Sequence, residues 1–293
     1  MSAFPALRLR PAALVLLTAA LAACSTLATH TLPASTSTST STSTPATAAA
    51  AAGKASGYLA PAAIPASLQL LPPPPAEGSP GQALDLAVNR EALAMRGSAR
   101  WQQATRDADL SFPAGAGHFA CALGVAIDAQ RTPHLYALLE RSRIDASAAT
   151  KAAKNHYRRP RPFMLNQQPS CTPQDEEQLR HNGSYPSGHS AIGWTWALIL
   201  SEIAPDRADA LILRGRSFSE SRLVCNVHWH SDVLAGRLMG AATVARLHAD
   251  PTFRADLDAA RGEIARAQAQ GAMPGEDCAA QAQTLQVRPA SAL

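Results

Sequence analysis

The stretch "NGSYPSGHSAIGWTW", residues 182–196, passes from a turn-forming run straight into an apolar one. Ser187 can cap a helix and Gly188 follows it, after which Ile192, Trp196 and Ile199 recur at helical spacing as far as Ile203. This spacing predicts a long core helix that starts at Ser187, Gly188 and His189. N–H groups at a helix start lack intrahelical partners and carry the positive end of the dipole, so the position can receive an anion. A site of that kind needs further cations from elsewhere in the chain.

Outward from this helix the same periodicity recurs. Leu84, Val88, Ala92 and Met95 lie at three- and four-residue intervals. Thr132 as cap and Pro133 at the first helical position open a helix with Leu135, Leu138 and Leu139, which can run to Tyr157 before Pro160 and Pro162 stop it. Pro205 opens "PDRADALILRGRSFSESRLV". Val233, Leu234, Leu238, Ala241 and Ala245 mark another helix, and Asp250 with Pro251 caps and opens a last one carrying Phe253 and Leu257. Period-two alternation and β-branched runs are scarce, so the expected fold class is all-α.

The 293-residue chain is 46% hydrophobic, enough for a sizeable core. Its N-terminus, "MSAFPALRLRPAALVLLTAALAACS", has a short basic region, an apolar run from Ala12 to Ala23 and small residues, the pattern of an export signal over residues 1–23. "LAAC", residues 21–24, resembles the bacterial lipoprotein processing box, which would make Cys24 the lipidated first residue of a periplasmic, membrane-anchored protein; an ordinary cleaved signal is the alternative. The formal charge of +4 falls to +2 once Arg8 and Arg10 leave with the signal, and that balance does not argue for a nucleic-acid partner. Residues 24–80, with "STSTSTSTST" and "LLPPPPAEGSPG", read as a tether without a fold; residues 81–272 read as the helical domain and 273–293 as a loose tail. Setting Cys24 aside, Cys121, Cys171, Cys225 and Cys278 favour disulfides in an oxidising compartment, with three pairings that sequence does not rank.

Three clusters carry reactive side chains. "KNHYRRPRPF", residues 154–163, places Lys154 near a helix end and Arg161 between two prolines that stiffen its backbone, so a guanidinium there loses less entropy on binding a phosphate. In the opening run Ser187 offers a hydroxyl, Gly188 an unobstructed N–H, and His189 a group that can donate or take a proton near neutral pH. "SRLVCNVHWHSD", residues 221–232, holds Arg222, His228 and Asp232, and on a helix the carboxylate four residues on could accept His228 Nδ1–H and fix Nε2 as a lone pair. Each cluster alone has an ordinary structural explanation: cations complementing a helix end, an N-cap, a surface ion pair.

Together, Lys154 with Arg161-Pro162, Pro186-Ser187-Gly188-His189, and Ser221-Arg222 with His228 and Asp232 resemble the three-part signature of the type 2 phosphatidic acid phosphatase superfamily. "GSYPSGH" is similar to the class A bacterial non-specific acid phosphatases, and the resemblance extends from about Leu70 through Gln270. Ser190 stands where the pattern has Thr, and His230 where it has Gln. The resemblance implies a compact helical bundle related to the vanadate haloperoxidases, with the clusters meeting at one end. It implies His228 as nucleophile, Asp232 as its orienter and His189 as the acid that protonates the leaving oxygen. Lys154, Arg161, Ser187, Gly188 and Arg222 would hold phosphate oxygens, with no cofactor and no metal. Small phosphomonoesters would be the substrates, and a mildly acidic optimum would follow from a protonated His189. Rival readings are a vanadate-dependent haloperoxidase, a lipid or pyrophosphate phosphatase, and a phosphate-binding lipoprotein without turnover.

Overall fold

A computed structural model describes residues 55–292; the signal-type segment, Cys24 and the tether as far as residue 54 lie outside the described residues. The longer helices are α1 (Pro80–Leu93), α2 (Ala99–Arg106), α3 (Pro133–Tyr157), α4 (Gly188–Ile203), α5 (Ala208–Val224), α6 (His230–Leu247), α7 (Pro251–Ala269) and α8 (Cys278–Leu285). No strand occurs among the described residues, so the fold is all-α.

Local chemistry sets the helix starts. Ser187 caps α4 by accepting the Ser190 N–H at 3.2 Å, and Asp250 caps α7 by accepting that of Phe253 at 2.8 Å. Pro133 opens α3 as the sequence predicts, but Thr132 does not cap it, because its hydroxyl donates to the Asp128 carbonyl. The Glu263 carboxylate of α7 accepts the His134 and Leu135 N–H groups instead, at 3.0 and 2.9 Å. An acid from a distant helix thus satisfies the positive end of α3.

The centre is α4, which packs against α3, α5 and α6. Trp196 is fully buried among Phe112, Phe119 and Phe218, and its indole N–H donates to the Leu139 carbonyl at 2.9 Å. Truncating such a side chain typically costs about 3–5 kcal/mol. Close helix approach needs missing side chains: a Cβ on Gly193 would collide with the Phe218 ring, and one on Gly236 with the Ser187 carbonyl. The second approach presses α6 onto the first turn of α4.

Four expectations are corrected. On α6 the buried face is Val233, Ala235, Gly236, Met239, Gly240, Thr243 and Leu247, while Leu234 and Leu238 are half exposed, because a stripe of small residues lets α6 come closer to α4 than leucines would. Leu84 is likewise exposed on α1, with Val88 and Ala92 inward. The fold also begins before residue 80. Tyr58 is buried edge-on against Phe253, the Tyr58 and Leu59 N–H groups donate to Asp145, and Ser67–Leu70 forms a helical turn against α3. Nor is the tail after residue 272 loose, since α8 is tied back by the Cys121–Cys278 disulfide and the Ser291 N–H donates to Glu91 of α1 at 2.9 Å. The second disulfide joins Cys171 to Cys225, settling the pairing.

Candidate active site

Lys154 stands in the last turn of α3, and its ammonium donates to the Gly183 and Ser184 carbonyls at 2.9 and 3.3 Å. Arg161 follows in extended backbone before the short helix Pro162–Asn166, as a residue preceding proline should. Carbonyls of Leu179, Asn182 and Val227 accept from its guanidinium, which is 2% exposed. Gly188 and His189 open α4. Arg222 lies in the last turn of α5, and Asn226 in left-handed backbone, tolerable for Asn, turns the chain so that His228 comes back beside it.

Backbone hydrogen bonds stitch the three clusters together. The Ser184 N–H donates to the Arg159 carbonyl at 2.9 Å, the Ser187 N–H to the Asp232 carbonyl at 2.9 Å, and the Phe163 N–H to the Asn226 carbonyl at 3.2 Å. The Trp229 indole N–H adds a bond to the Pro160 carbonyl at 2.9 Å. Lys154, Arg161, Gly188, His189, Arg222 and His228 consequently line one cavity of about 230 Å³, together with Leu110, Lys151 and Leu179 among others. Asp232 and Ser187 do not line it. Asp232 stands behind His228, and the Ser187 hydroxyl oxygen is engaged as the cap of α4 by the Ser190 N–H and hydroxyl. A Cβ on Gly188 would point toward Lys154 and Thr150, at 3.7 Å from each.

His228 precedes α6 rather than sitting on it, so the pairing with Asp232 is that of a turn residue with the third residue of a helix. Asp232 Oδ2 accepts from His228 Nδ1 at 3.3 Å and from the Trp229 N–H at 2.9 Å. His228 Nε2 is then the lone pair, and Arg161 Nη1 donates to it at 3.1 Å. His189 Nε2 donates to the Ala108 carbonyl at 3.0 Å, which leaves Nδ1 as its second functional nitrogen.

Two residues that support the site escape motif reading. Arg159 donates to Asp232 Oδ1 at 2.6 Å and to Asp85 Oδ2 at 2.7 Å, and Asp85 also accepts from the Ser231 N–H and hydroxyl. Asp232 is therefore held from behind by a chain running back to α1. Beside Arg222, the Ser221 hydroxyl turns away from the cavity and donates to Asp107, which also takes a bidentate pair from Arg214. Neither role is readable from spacing, because the partners lie far off in sequence. His230, at the unusual position, is buried next to α1 and the Glu220–Arg237 pair and does not line the cavity.

The cavity is strongly positive. Arg222 Nε and Nη1 are buried with no hydrogen-bond partner among the described residues. Burial, then the neighbouring Arg161, pushes the Lys154 ammonium down to about 7. Burial likewise pushes Arg161 and Arg222 each down to about 10. Both imidazoles are held well below the ordinary histidine range, by burial first and then by cations: Arg222 for His189, and Arg161 and Lys154 for His228. No carboxylate lines the cavity, and the chemistry its fixed donors and cations suit is recognition of a dianion.

Residues 137–255 match the PAP2 superfamily model. The chain is 43% identical over 209 residues to an acid phosphatase of Zymomonas mobilis, covering 71% of this chain and 79% of that one. It is 43% identical over 195 residues to a non-specific acid phosphatase of Salmonella typhimurium, covering 66% and 78%. A non-specific acid phosphatase of Providencia stuartii is 41% identical over 210 residues, covering 71% and 85%. The chain belongs to the PAP2 superfamily. Within it the chain is similar to acid phosphatases over most of their length, and the PAP2 region holds all eight residues of the proposed constellation, from Lys154 to Asp232.

Proposed function

We propose that this PAP2 protein hydrolyses phosphomonoesters of broad range without a metal ion, as the class A acid phosphatases do, through a phosphohistidine on His228. The observation that carries the reading is the cavity itself, which His228, Arg222 with its two unpartnered nitrogens, and the first residues of α4 line together, with Arg161 Nη1 against His228 Nε2. Lys154, Arg161 and Arg222, with the Gly188 N–H, hold the equatorial phosphate oxygens. Arg161 Nη1 exchanges His228 Nε2 for a phosphate oxygen, which frees the lone pair to attack. As the Nε2–P bond forms and the ester P–O bond breaks, the His189 imidazolium gives its proton to the leaving oxygen. His189 then takes a proton from water, whose oxygen displaces His228; an alcohol in place of water gives phosphoryl transfer.

His189 must carry a proton for the first step, although the protein's own groups hold it neutral. A phosphate dianion among these cations supplies the missing counter-charge and raises both imidazoles. Lys154 limits the alkaline side, because an ammonium pushed down to about 7 is lost in the free protein above that pH. An acidic optimum of kcat/KM follows. The donors around the cavity are cations and N–H groups, the chemistry that holds a phosphate dianion directly. Export and lipidation at Cys24 would leave the domain tethered outside the cytoplasm.

The test is turnover of p-nitrophenyl phosphate with and without EDTA, by the natural chain and by His228→Ala. The expected result is EDTA-resistant hydrolysis that falls by at least about 10⁴-fold in the variant. Equal rates in the two proteins would refute the assignment of His228.

A further inference from the structure

A second, larger cavity of about 400 Å³ adjoins the catalytic one and shares Lys154 and Asn182 with it. Gly183 lines it, its backbone so close to the Lys154 carbonyl and the Arg158 Cα that a side chain there would collide. Its walls carry Arg158, Arg159, Arg180 and His181, and no carboxylate is among its lining residues. Arg159 is spent on Asp85 and Asp232, and His181 stands 3.2 Å from Glu177, but Arg158 meets no carboxylate and Arg180 only a distant one. Arg158 uses only Nε, on the Asn155 carbonyl at 3.3 Å, and Arg180 stands 3.6 Å from Glu176 at the surface.

Arg158 also occupies a costly place. It ends α3 in left-handed backbone, φ 42°, where glycine is the unstrained residue. A long cation at such a position, beside a concavity whose own lining residues include no acid, adds positive potential at the edge of the catalytic cavity.

We propose that this cavity is a second anion subsite, which binds the distal phosphate of small bisphosphorylated substrates while the scissile phosphate lies against His228. The inference rests on the phosphomonoesterase reading above. Arg158 and Arg180 grip the distal phosphate, Asn155 and Asn182 offer amides to hydroxyls of the linker, and Met164 provides an apolar wall.

The test compares hexanediol bisphosphate with hexyl phosphate, which has the same chain but no second phosphate, on the full chain and on Arg158→Gly, Arg180→Gln and the double variant. Glycine at 158 suits the backbone there, so that variant should fold as well as the natural chain. The natural chain is expected to show a KM for the bisphosphate about tenfold lower, beyond the statistical factor of about two for its two ends. The double variant should erase that preference with kcat retained, and should leave hexyl phosphate within about twofold. A natural chain that treats both compounds alike, or variants that weaken both equally or neither, overturns the subsite. Calorimetric titration of both compounds into the His228→Ala chain reads the same preference without turnover. Failure there condemns the subsite alone, whereas failure to hydrolyse p-nitrophenyl phosphate condemns the parent reading alone.

Discussion

Two buried cationic clusters sit side by side on α5, one resting on Ser221 and the other on Arg222, and they differ in whether a carboxylate stands among the cations. In the first, Arg100 and Arg214 surround Asp107, which accepts from Arg214 at 2.5 and 3.1 Å and from the Ser221 hydroxyl at 2.5 Å, while Arg100 donates to Ser221 at 3.0 Å. Burial opposes the Asp107 charge, yet the Arg214 guanidinium overcomes it and holds the carboxyl well below the usual carboxylate range. In the second, Lys154, Arg161 and Arg222 meet no carboxylate inside the cavity, and two Arg222 nitrogens have no partner among the described residues. In the first cluster the Asp107 carboxylate sits inside, offsets the charge of Arg214 and holds α2 against α5. The second has its neutralising charge left to the substrate, so buried cations alone do not mark a site; buried cations without an anion do.

The contrast breaks most visibly if the two clusters respond alike to mutation. Arg222→Met should lower kcat/KM for p-nitrophenyl phosphate by about 10³-fold, the scale of a lost transition-state cation, while thermal stability holds or rises because an unpartnered buried charge is gone. Asp107→Ala should do the reverse in stability, costing about 3–5 kcal/mol by urea denaturation, since Arg214 is left buried and unpaired. A stability loss of similar size in both variants would erase the distinction.

Arg159→Ala comes next. Losing the charge-assisted bonds to Asp232 should lower kcat by about 10- to 100-fold with KM little changed, because Arg159 acts through the orientation of His228 and not on bound phosphate. An effect confined to KM would place Arg159 in the substrate site instead. The smallest effect is in pH dependence. Lys154 in the folded protein loses its proton near 7 rather than near 10, so Lys154→Arg, which stays charged, should move the alkaline limb of kcat/KM upward at some cost in rate. An unmoved limb would assign it to another group. The same lowered value makes stability rise with pH between about 7 and the ordinary lysine range, where the unfolded chain binds the extra proton. Neutral His189 and His228 add to this from the acid side: stability falls as pH drops through the ordinary histidine value, because protons then favour the unfolded state.

What sequence reveals here is what local chemistry decides. Ser187 as cap, Pro133 as first residue, Pro160 as terminator and Asp250 with Pro251 at the start of α7 act on neighbours within one turn, and the helices follow them. The six cavity-lining residues are legible because they stand in three short motifs. Features fixed by distant partners were invisible. Tyr58 looks like part of a tether until Phe253 and Asp145 receive it, and Cys278 looks like part of a loose tail until Cys121 holds it. Leu234 and Leu238 misled because leucine outranks glycine in hydrophobicity, whereas the closeness of α4 and α6 depends on the absence of side chains at Gly236 and Gly240. Asp107 and Arg159 carry no signal in the sequence, because a charged residue shows its importance only beside its partner.

The central claim is that cations left without a carboxylate present a phosphoryl group to His228. Rapid acid-free quenching during turnover of a labelled phosphomonoester, followed by peptide mapping under alkaline conditions, tests it most directly. The account predicts an acid-labile, alkali-stable phosphoryl group on the peptide holding His228, absent from His228→Ala. Label on any other residue, or steady turnover with no covalent label at all, would contradict it.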